Sequence, residues 1–131
     1  MARRSRAADP DPEAILVRAV NVQLLENIRI WGELLEEGIG EEPELTLTFA
    51  FLAGGQAEAE RLATFLGAET DYELFVRSRG RMHKREWFVA GATQRAPVSL
   101  DTINAWTEWM IAAGAEHGPC AFDGWAPKDS A

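Results

Sequence analysis

The sequence predicts an α+β domain with a ferredoxin-like β-α-β-β-α-β core and one additional long helix before it. After residue 44, strand-like segments with alternating apolar residues and helix-like segments with apolar residues three and four positions apart follow one another in that order. The 131 residues suffice for one domain, and 47% hydrophobic with 26% charged residues is an ordinary globular composition. We therefore expect a disordered tail over 1–12 and a single domain over 13–131, with the extra helix at 13–37 and the core at 45–126.

The first helix is predicted between Pro12 and Gly38, because proline suits the first turn of a helix and glycine the position after its end. Its apolar residues form two stripes, whereas a surface helix ordinarily has one. The first stripe, at heptad-like spacing interrupted by Asn21, contains Val17, Leu24, Ile28, Trp31 and Leu35. The second contains Ile15, Ala19, Val22 and Ile30. We expect one stripe to pack on the domain and the other to contact a twin helix, a foreign protein or an open sheet. A homo-oligomer through this helix is the favoured prediction.

Three strands and a helix are predicted in the first part of the core. The strand "LTLTFAFL" over 45–52 has its apolar face at Leu45, Leu47, Phe49 and Phe51. The helix after Gly54-Gly55 has its apolar positions at Ala59, Leu62, Ala63 and Leu66. The strand "DYELFVRSR" over 71–79 turns Tyr72, Leu74 and Val76 one way, and Glu73, Phe75, Arg77 and Arg79 the other. A third strand, "EWFVAGA", follows over 86–92.

A second core helix is predicted after Ser99, which is the expected N-cap, with Asp101 in the first turn. Its buried stripe is predicted at Leu100, Ile103, Thr107, Met110 and Ile111. Trp106 and Trp109 lie beside that stripe, on the flank of Ala113. Each of these two residues, like Trp31 on the first helix, either contacts a partner or covers a neighbouring part of the domain.

The stretch Phe122-Asp123-Gly124-Trp125 predicts a tight turn after a short final strand, because Asp-Gly pairs favour turns. We expect Trp125 to fix this strand to the domain, since a large aromatic ring gains most from burial. The alternative is that Asp123 and Trp125 form part of a docking surface.

The residues capable of catalysis or metal binding do not form a complete set. Cys120 with His117 or His83 would be a nucleophile pair without a third orienting group, and a zinc site at His117, Cys120 and Asp123 would lack its second pair of ligands. We therefore predict no enzymatic activity, no cofactor and no metal, with Cys120 as a small buried residue. A single cysteine excludes an intramolecular disulfide, and no apolar run reaches the roughly 18 residues of a membrane span, so the predicted location is the cytoplasm.

The charged residues are concentrated at two places in a chain whose net charge is −8. The acidic cluster, between the first helix and the first strand, contains Glu33, Glu36, Glu37, Glu41, Glu42 and Glu44. The basic hairpin contains Arg77, Arg79, Arg81, Lys84 and Arg85.

In the basic hairpin, Arg77, Arg79 and Arg81 would share one strand face with Phe75 if the strand continues, and sheets that bind RNA use this combination of arginine and aromatic rings. We favour a solvated hairpin whose arginines pair with nearby glutamates, because the net charge opposes nucleic acid. RNA binding, or self-association of the hairpin with the acidic cluster of another copy, are the alternatives.

The helix ending "LLEEGI", the strand-helix-strand core and the ending "INAWTEWMIAAGAEHGPCAFDGW" together resemble the regulator of ribonuclease activity B family over about residues 22–126. The sharpest element is Phe122-Asp123-Gly124-Trp125, which is similar to the family's aromatic-Asp-Gly-Trp ending. The resemblance implies a ferredoxin-like fold in a small, cytoplasmic, bacterial protein that has no catalytic residues and that binds and inhibits ribonuclease E.

The resemblance also implies that an acidic body contacts the basic, RNA-binding part of the nuclease. The candidate contact residues are the acidic cluster together with Trp106, Trp109, Asp123 and Trp125. An RNA-binding module that uses the basic hairpin and the open sheet face, or a structural dimerisation domain, are the alternative functions. We expect no direct binding of nucleic acid and no association with membranes.

Overall fold

The structure is a computed structural model that describes residues 11–128. Residues 1–10 of the predicted tail lie outside the described part, whereas Asp11 and Pro12 begin the first helix. A 3-10 turn over Met82–Lys84 joins the strands Glu73–Arg79 and Glu86–Ala92. The elements in chain order are α1 (Pro12–Glu36), β1 (Glu44–Leu45), β2 (Leu47–Ala53), α2 (Gln56–Glu69), β3 (Glu73–Arg79), β4 (Glu86–Ala92), β5 (Ala96–Pro97), α3 (Leu100–His117) and β6 (Cys120–Pro127).

Four strands form one antiparallel sheet in the order β3-β4-β2-β6, and β1 pairs with β5 in a separate two-stranded ribbon. The predicted α+β class and the β-α-β-β-α-β order of the core are confirmed. The strand predicted over 45–52 is divided into β1 and β2, because Leu45 pairs with Ala96 of β5 while Leu47 begins the pairing with β6.

Helices α2 and α3 pack on one face of this sheet, and the core lies between the two layers. Alternation along β2 turns Leu47, Phe49, Phe51 and Ala53 towards the helices, and all four are buried. From these two helices, the buried apolar residues with a side chain are Ala59, Leu62, Leu66, Ile103, Met110, Ile111 and Ala113. The faces predicted for both core helices from their periodicity are therefore confirmed.

The beginning of α3 is fixed by the N-cap that the sequence predicts. The hydroxyl of Ser99 accepts a hydrogen bond from the backbone N–H of Thr102 at 3.2 Å, and the backbone N–H of Ser99 donates in return to the hydroxyl of Thr102 at 2.8 Å. Each bond satisfies a backbone donor that would otherwise lack a partner at the helix end.

The predicted tight turn at Asp123-Gly124 is wrong, because β6 runs through this pair and continues to Pro127. Ala50 pairs with Gly124 and Phe51 pairs with Phe122, so Asp123 is an extra residue in a β-bulge. Gly124 has φ of +123°, a conformation that glycine adopts without a steric cost. Turns and bulges both use glycine for this reason, and the Asp-Gly signal does not distinguish between them.

Helix α1 lies against α3, and neither of its two predicted stripes is its buried face. The buried residues are Gln23, Asn27, Trp31 and Leu34, which lie between the two stripes. From the first stripe only Trp31 is buried, and the second stripe contributes only the half-buried Ile30. The prediction failed because the centre of the buried face is polar.

None of the helices within residues 11–128 combines the length with the apolar character that crossing a bilayer would require.

Candidate binding surfaces

A buried polar network joins α1, α3 and β6. Asn27 is at its centre and is fully buried. Its side-chain amide donates to Oδ1 of Asn104 at 3.0 Å and to the hydroxyl of Thr107 at 2.9 Å. Its Oδ1 accepts from Nε2 of Gln23 at 2.9 Å and from the indole N–H of Trp125 at 2.7 Å. Among the described residues, no buried side-chain donor or acceptor lacks a partner, so the network satisfies every polar group that it buries.

Trp125 therefore fixes the last strand to the domain, as the sequence predicts. Its side chain is 6% exposed, and its N–H reaches Asn27 across the boundary between β6 and α1. Next to it, Asp123 in the bulge is exposed. Of the two residues considered for docking at this motif, only Asp123 lies at the surface.

Trp106 also packs inside the domain. Its ring makes edge contacts with Phe49 and Phe122, with centroids 6.0 and 6.2 Å apart, and its N–H donates to the hydroxyl of Tyr72 at 2.9 Å. Burial raises the pKa of the Tyr72 hydroxyl above its usual value. This tryptophan covers a neighbouring part of its own domain, which is one of the two roles that the sequence left open.

Trp109 remains at the surface, 40% exposed, in a row of three aromatic rings between α2 and α3. Phe65 stacks on His117 with centroids 3.6 Å apart, and the ring of Trp109 lies 6.1 Å from Phe65 on a similar plane. Of the tryptophans considered for partner binding, Trp109 is the one that the structure leaves accessible.

Cys120 is buried, and its thiol contacts the backbone carbonyl of Glu58 at 3.6 Å. Burial raises the pKa of this thiol, so the neutral form is favoured. Among residues 11–128, no three histidine, cysteine or acidic side chains come together as a metal site would require.

The acidic cluster lies at the surface where α1 ends and the chain enters β1. Glu33 pairs with Arg29 at 2.6 Å, and Glu44 pairs with Arg95 at 3.5 Å. Arg29 also pairs with Glu26, and this hydrogen bond lowers the pKa of the Glu26 carboxyl. The remaining four glutamates are exposed and form no ion pair with any described residue; we call them the acidic surface: Glu36, Glu37, Glu41 and Glu42.

The face of the sheet that points away from the helices carries two aromatic rings beside arginines, and we call it the open face. The guanidinium of Arg77 lies 5.0 Å from the ring centre of Phe75, and that of Arg79 lies 4.7 Å from the ring centre of Phe88. Arg79 also pairs with Glu86 at 3.1 Å, one of the pairings that the sequence predicts for this hairpin.

The basic hairpin divides into two parts. Strand β3 ends at Arg79, so Arg81 does not share the strand face of Arg77, and that expectation is wrong. Lys84 and Arg85 follow in the exposed connection to β4. Only Arg77 and Arg79 belong to the open face.

Sequence reasoning missed two features of these surfaces. The polar network was missed because Gln23, Asn27 and Asn104 carry no apolar signal, although Gln23 and Asn27 follow the 3.6-residue period of the same face as the buried Trp31 and Leu34. Phe88 was not singled out, because its place beside Arg79 depends on the register of β3 and β4, in which Arg77 pairs with Phe88.

In comparisons with known proteins, the chain matches no protein-family model and no curated protein. The resemblance to the regulator of ribonuclease activity B family therefore stays a prediction, carried by the residues and motifs described above.

Proposed function

We propose that this protein is a regulator without catalytic activity that binds a basic, arginine-rich segment of an RNA-processing enzyme. An endoribonuclease of the ribonuclease E type is the proposed partner, and inhibition or modulation of RNA turnover is the proposed effect. The observation that carries the proposal is the acidic surface, whose four exposed glutamates form no ion pair with any described residue.

Arginine is the expected partner because its planar guanidinium binds a carboxylate through two parallel hydrogen bonds. Glu36 and Glu37 end α1, and Glu41 and Glu42 lie in the connection that follows. A basic segment that meets this surface would be attracted over a distance, since the whole chain carries a net charge of −8. Charges at the rim of such an interface mainly raise the association rate, and the complex should weaken at high salt.

The test is a calorimetric titration of the full chain with the basic, non-catalytic region of ribonuclease E. The variant Glu37→Gln/Glu41→Gln/Glu42→Gln should weaken binding by about tenfold or more, which corresponds to about 1.4 kcal/mol. The control Glu60→Gln/Glu69→Gln/Glu108→Gln removes the same charge from exposed positions on α2 and α3 and should change the affinity by less than about threefold. Equal losses would show that net charge rather than this surface is responsible, and no binding by the unaltered chain would remove ribonuclease E as the partner.

The open face supports a second candidate function, the binding of single-stranded RNA. Phe75 is 44% exposed, and Phe75 and Phe88 could each stack a base while Arg77 and Arg79 contact phosphates. The net negative charge of the chain opposes this function, so the affinity would depend strongly on salt.

Fluorescence anisotropy with a labelled single-stranded RNA distinguishes the two candidates. If RNA binds to the open face, Arg77→Gln and Phe75→Ala should each weaken the complex. Arg18→Gln, which removes the same charge from α1, should leave it unchanged. If Arg77→Gln and Arg18→Gln weaken it alike, the attraction is unspecific and the second candidate fails.

A further inference from the structure

Helix α1 exposes more apolar surface than any other element of the described chain. It contributes six of the ten large hydrophobic residues that are exposed within residues 11–128. Four of these follow one another at intervals of three to eight residues along one side of the helix, away from the buried network, and we call them the outer stripe: Val17, Leu25, Ile28 and Leu35. Each is more than half exposed, and exposed apolar residues grouped on one side of an element mark an interaction site more often than scattered residues do.

Gly32 lies on the same side of α1, between Ile28 and Leu35. A glycine inside a helix is unfavourable, and nothing within the domain requires this one, since a Cβ at Gly32 would have no atom within 4 Å. A glycine on an exposed helix face allows another backbone to approach closely. The open space at Gly32 is compatible with a close approach of this kind on the outer stripe.

We propose that the outer stripe binds the outer stripe of a second copy of this chain, with the two α1 helices antiparallel and the two-fold axis crossing them at about the level of residue 26. A symmetric dimer needs a surface that is complementary to itself. In this arrangement Val17 faces the partner's Leu35, and Leu25 faces the partner's Ile28. Asn21 then faces the partner's Gly32, where the absence of a side chain leaves room for it.

The charges along α1 select the antiparallel orientation. The last turns of α1 carry Glu33, Glu36 and Glu37, so parallel helices would place like charges side by side. Antiparallel helices instead place Glu36 beside the partner's Arg18, and the symmetry forms this pair twice. Arg18 has no ion pair with any described residue of its own chain. The helix dipoles also favour this orientation, because each negative end lies beside a positive one.

The size of the contact sets the expected affinity. A helix of 25 residues is about 37 Å long and about 10 Å wide, so the strip that it offers is smaller than the roughly 800 Å² per partner of a standard stable interface. We therefore expect a dimer in the micromolar range.

The first test measures the mass of the full chain by sedimentation at concentrations from about 1 to 500 μM. The chain should pass from monomer to dimer within this range. Ile28→Glu should raise the dissociation constant by about a hundredfold, because it places a charge against the partner's apolar Leu25. The control Val22→Glu introduces the same charge at a similarly exposed position on another side of α1 and should have little effect. A chain that stays monomeric throughout, or variants that dissociate alike, would overturn the proposal.

A charge exchange tests the pairing of Arg18 with the partner's Glu36. Arg18→Glu and Glu36→Arg should each weaken the dimer, and the double variant should restore it. If the double variant dissociates as readily as the single ones, the two residues do not meet. The triple variant used in the titration with ribonuclease E leaves Glu36 unaltered. The dimer and the binding of the nuclease are therefore tested separately, and either proposal can fail without the other.

A spin label at Ala14→Cys, in a Cys120→Ala background, measures the orientation directly. Antiparallel helices centred near Glu26 place the two labels about 37 Å apart, whereas parallel helices place them about 10 Å apart. The short distance would overturn the antiparallel arrangement.

Discussion

Helices α1 and α2 belong to the same domain but are held by different interactions. Helix α2 lies on the sheet through Ala59, Leu62 and Leu66, which are all apolar and fully buried. Helix α1 instead buries Gln23 and Asn27 at the centre of its contact with α3 and β6. An apolar contact tolerates small shifts, whereas a hydrogen-bonded one requires every partner in place. Helix α1 also contributes Trp31 and Leu34 to the core, so its contact combines apolar and hydrogen-bonded parts. We therefore expect the loss of an α2 contact to unfold the whole domain, and the loss of the α1 hydrogen bonds to loosen α1 first.

The largest effect is expected for Trp125→Ala, which removes both the ring and the N–H that reaches Asn27. The free energy of unfolding should fall by about 3–5 kcal/mol in chemical denaturation. Trp125→Phe keeps most of the ring and loses only the hydrogen bond, so it should cost about 1–2 kcal/mol. Similar losses of unfolding free energy in the two variants would show that the hydrogen-bond network contributes more to stability than the burial of the ring.

Leu62→Ala tests the apolar contact of α2. This side chain is fully buried, so its truncation should cost about 2–5 kcal/mol and lower the stability of the whole domain in one transition. Val22→Ala, at an exposed position on α1, is the control and should stay within about 0.5 kcal/mol. A second transition in Leu62→Ala would mean that α2 unfolds separately.

Asn27→Leu tests the polar contact of α1 and should cost about 2 kcal/mol. The variant leaves the N–H of Trp125 and the amide of Gln23 without their acceptor, but these groups can return to water if α1 detaches. Hydrogen exchange should therefore increase in α1 and stay slow in β2 and β4. A uniform increase in all elements would contradict the separate behaviour of the two helices.

The smallest effect concerns Cys120, which lies beneath α2 beside Glu58. Because burial raises the pKa of this thiol, the folded state keeps the proton to higher pH than the unfolded state. The resulting stabilisation is complete below the unfolded pKa of about 8.5 and is lost as the pH rises through the folded pKa. The stability difference between the unaltered chain and Cys120→Ala should shrink accordingly, and a constant difference from pH 7 to 10 would contradict a buried neutral thiol.

The same comparison explains which parts of the structure the sequence predicts. Leu62 and Leu66 follow the helical period, and Phe49 and Phe51 follow the strand period, so both faces could be derived from spacing alone. The contact of α1 could not, because hydrogen bonds between Asn27, Asn104 and Trp125 join residues that are far apart in the chain. The apolar residues of α1 that follow a regular spacing are mostly the ones that the domain leaves exposed.

The candidate surfaces were predicted in part. The acidic surface follows from a local run of glutamates, although the pairing of Glu33 with Arg29 and of Glu44 with Arg95 reduces it to four residues. For the tryptophans, spacing did not separate the half-buried Trp106 from the accessible Trp109, which are three residues apart on α3. Their different surroundings depend on how α3 lies over Phe49 and Phe65.

The bulge at Asp123 has a consequence for solubility at high concentration. Strand β6 lies at one edge of the sheet, and a regular edge strand offers a row of unpaired backbone groups to which a strand of another molecule could add. The extra residue interrupts that row, and Pro127 at its end lacks the N–H that a further strand would need. The Asp-Gly pair thus disfavours the addition of another molecule's strand at the β6 edge.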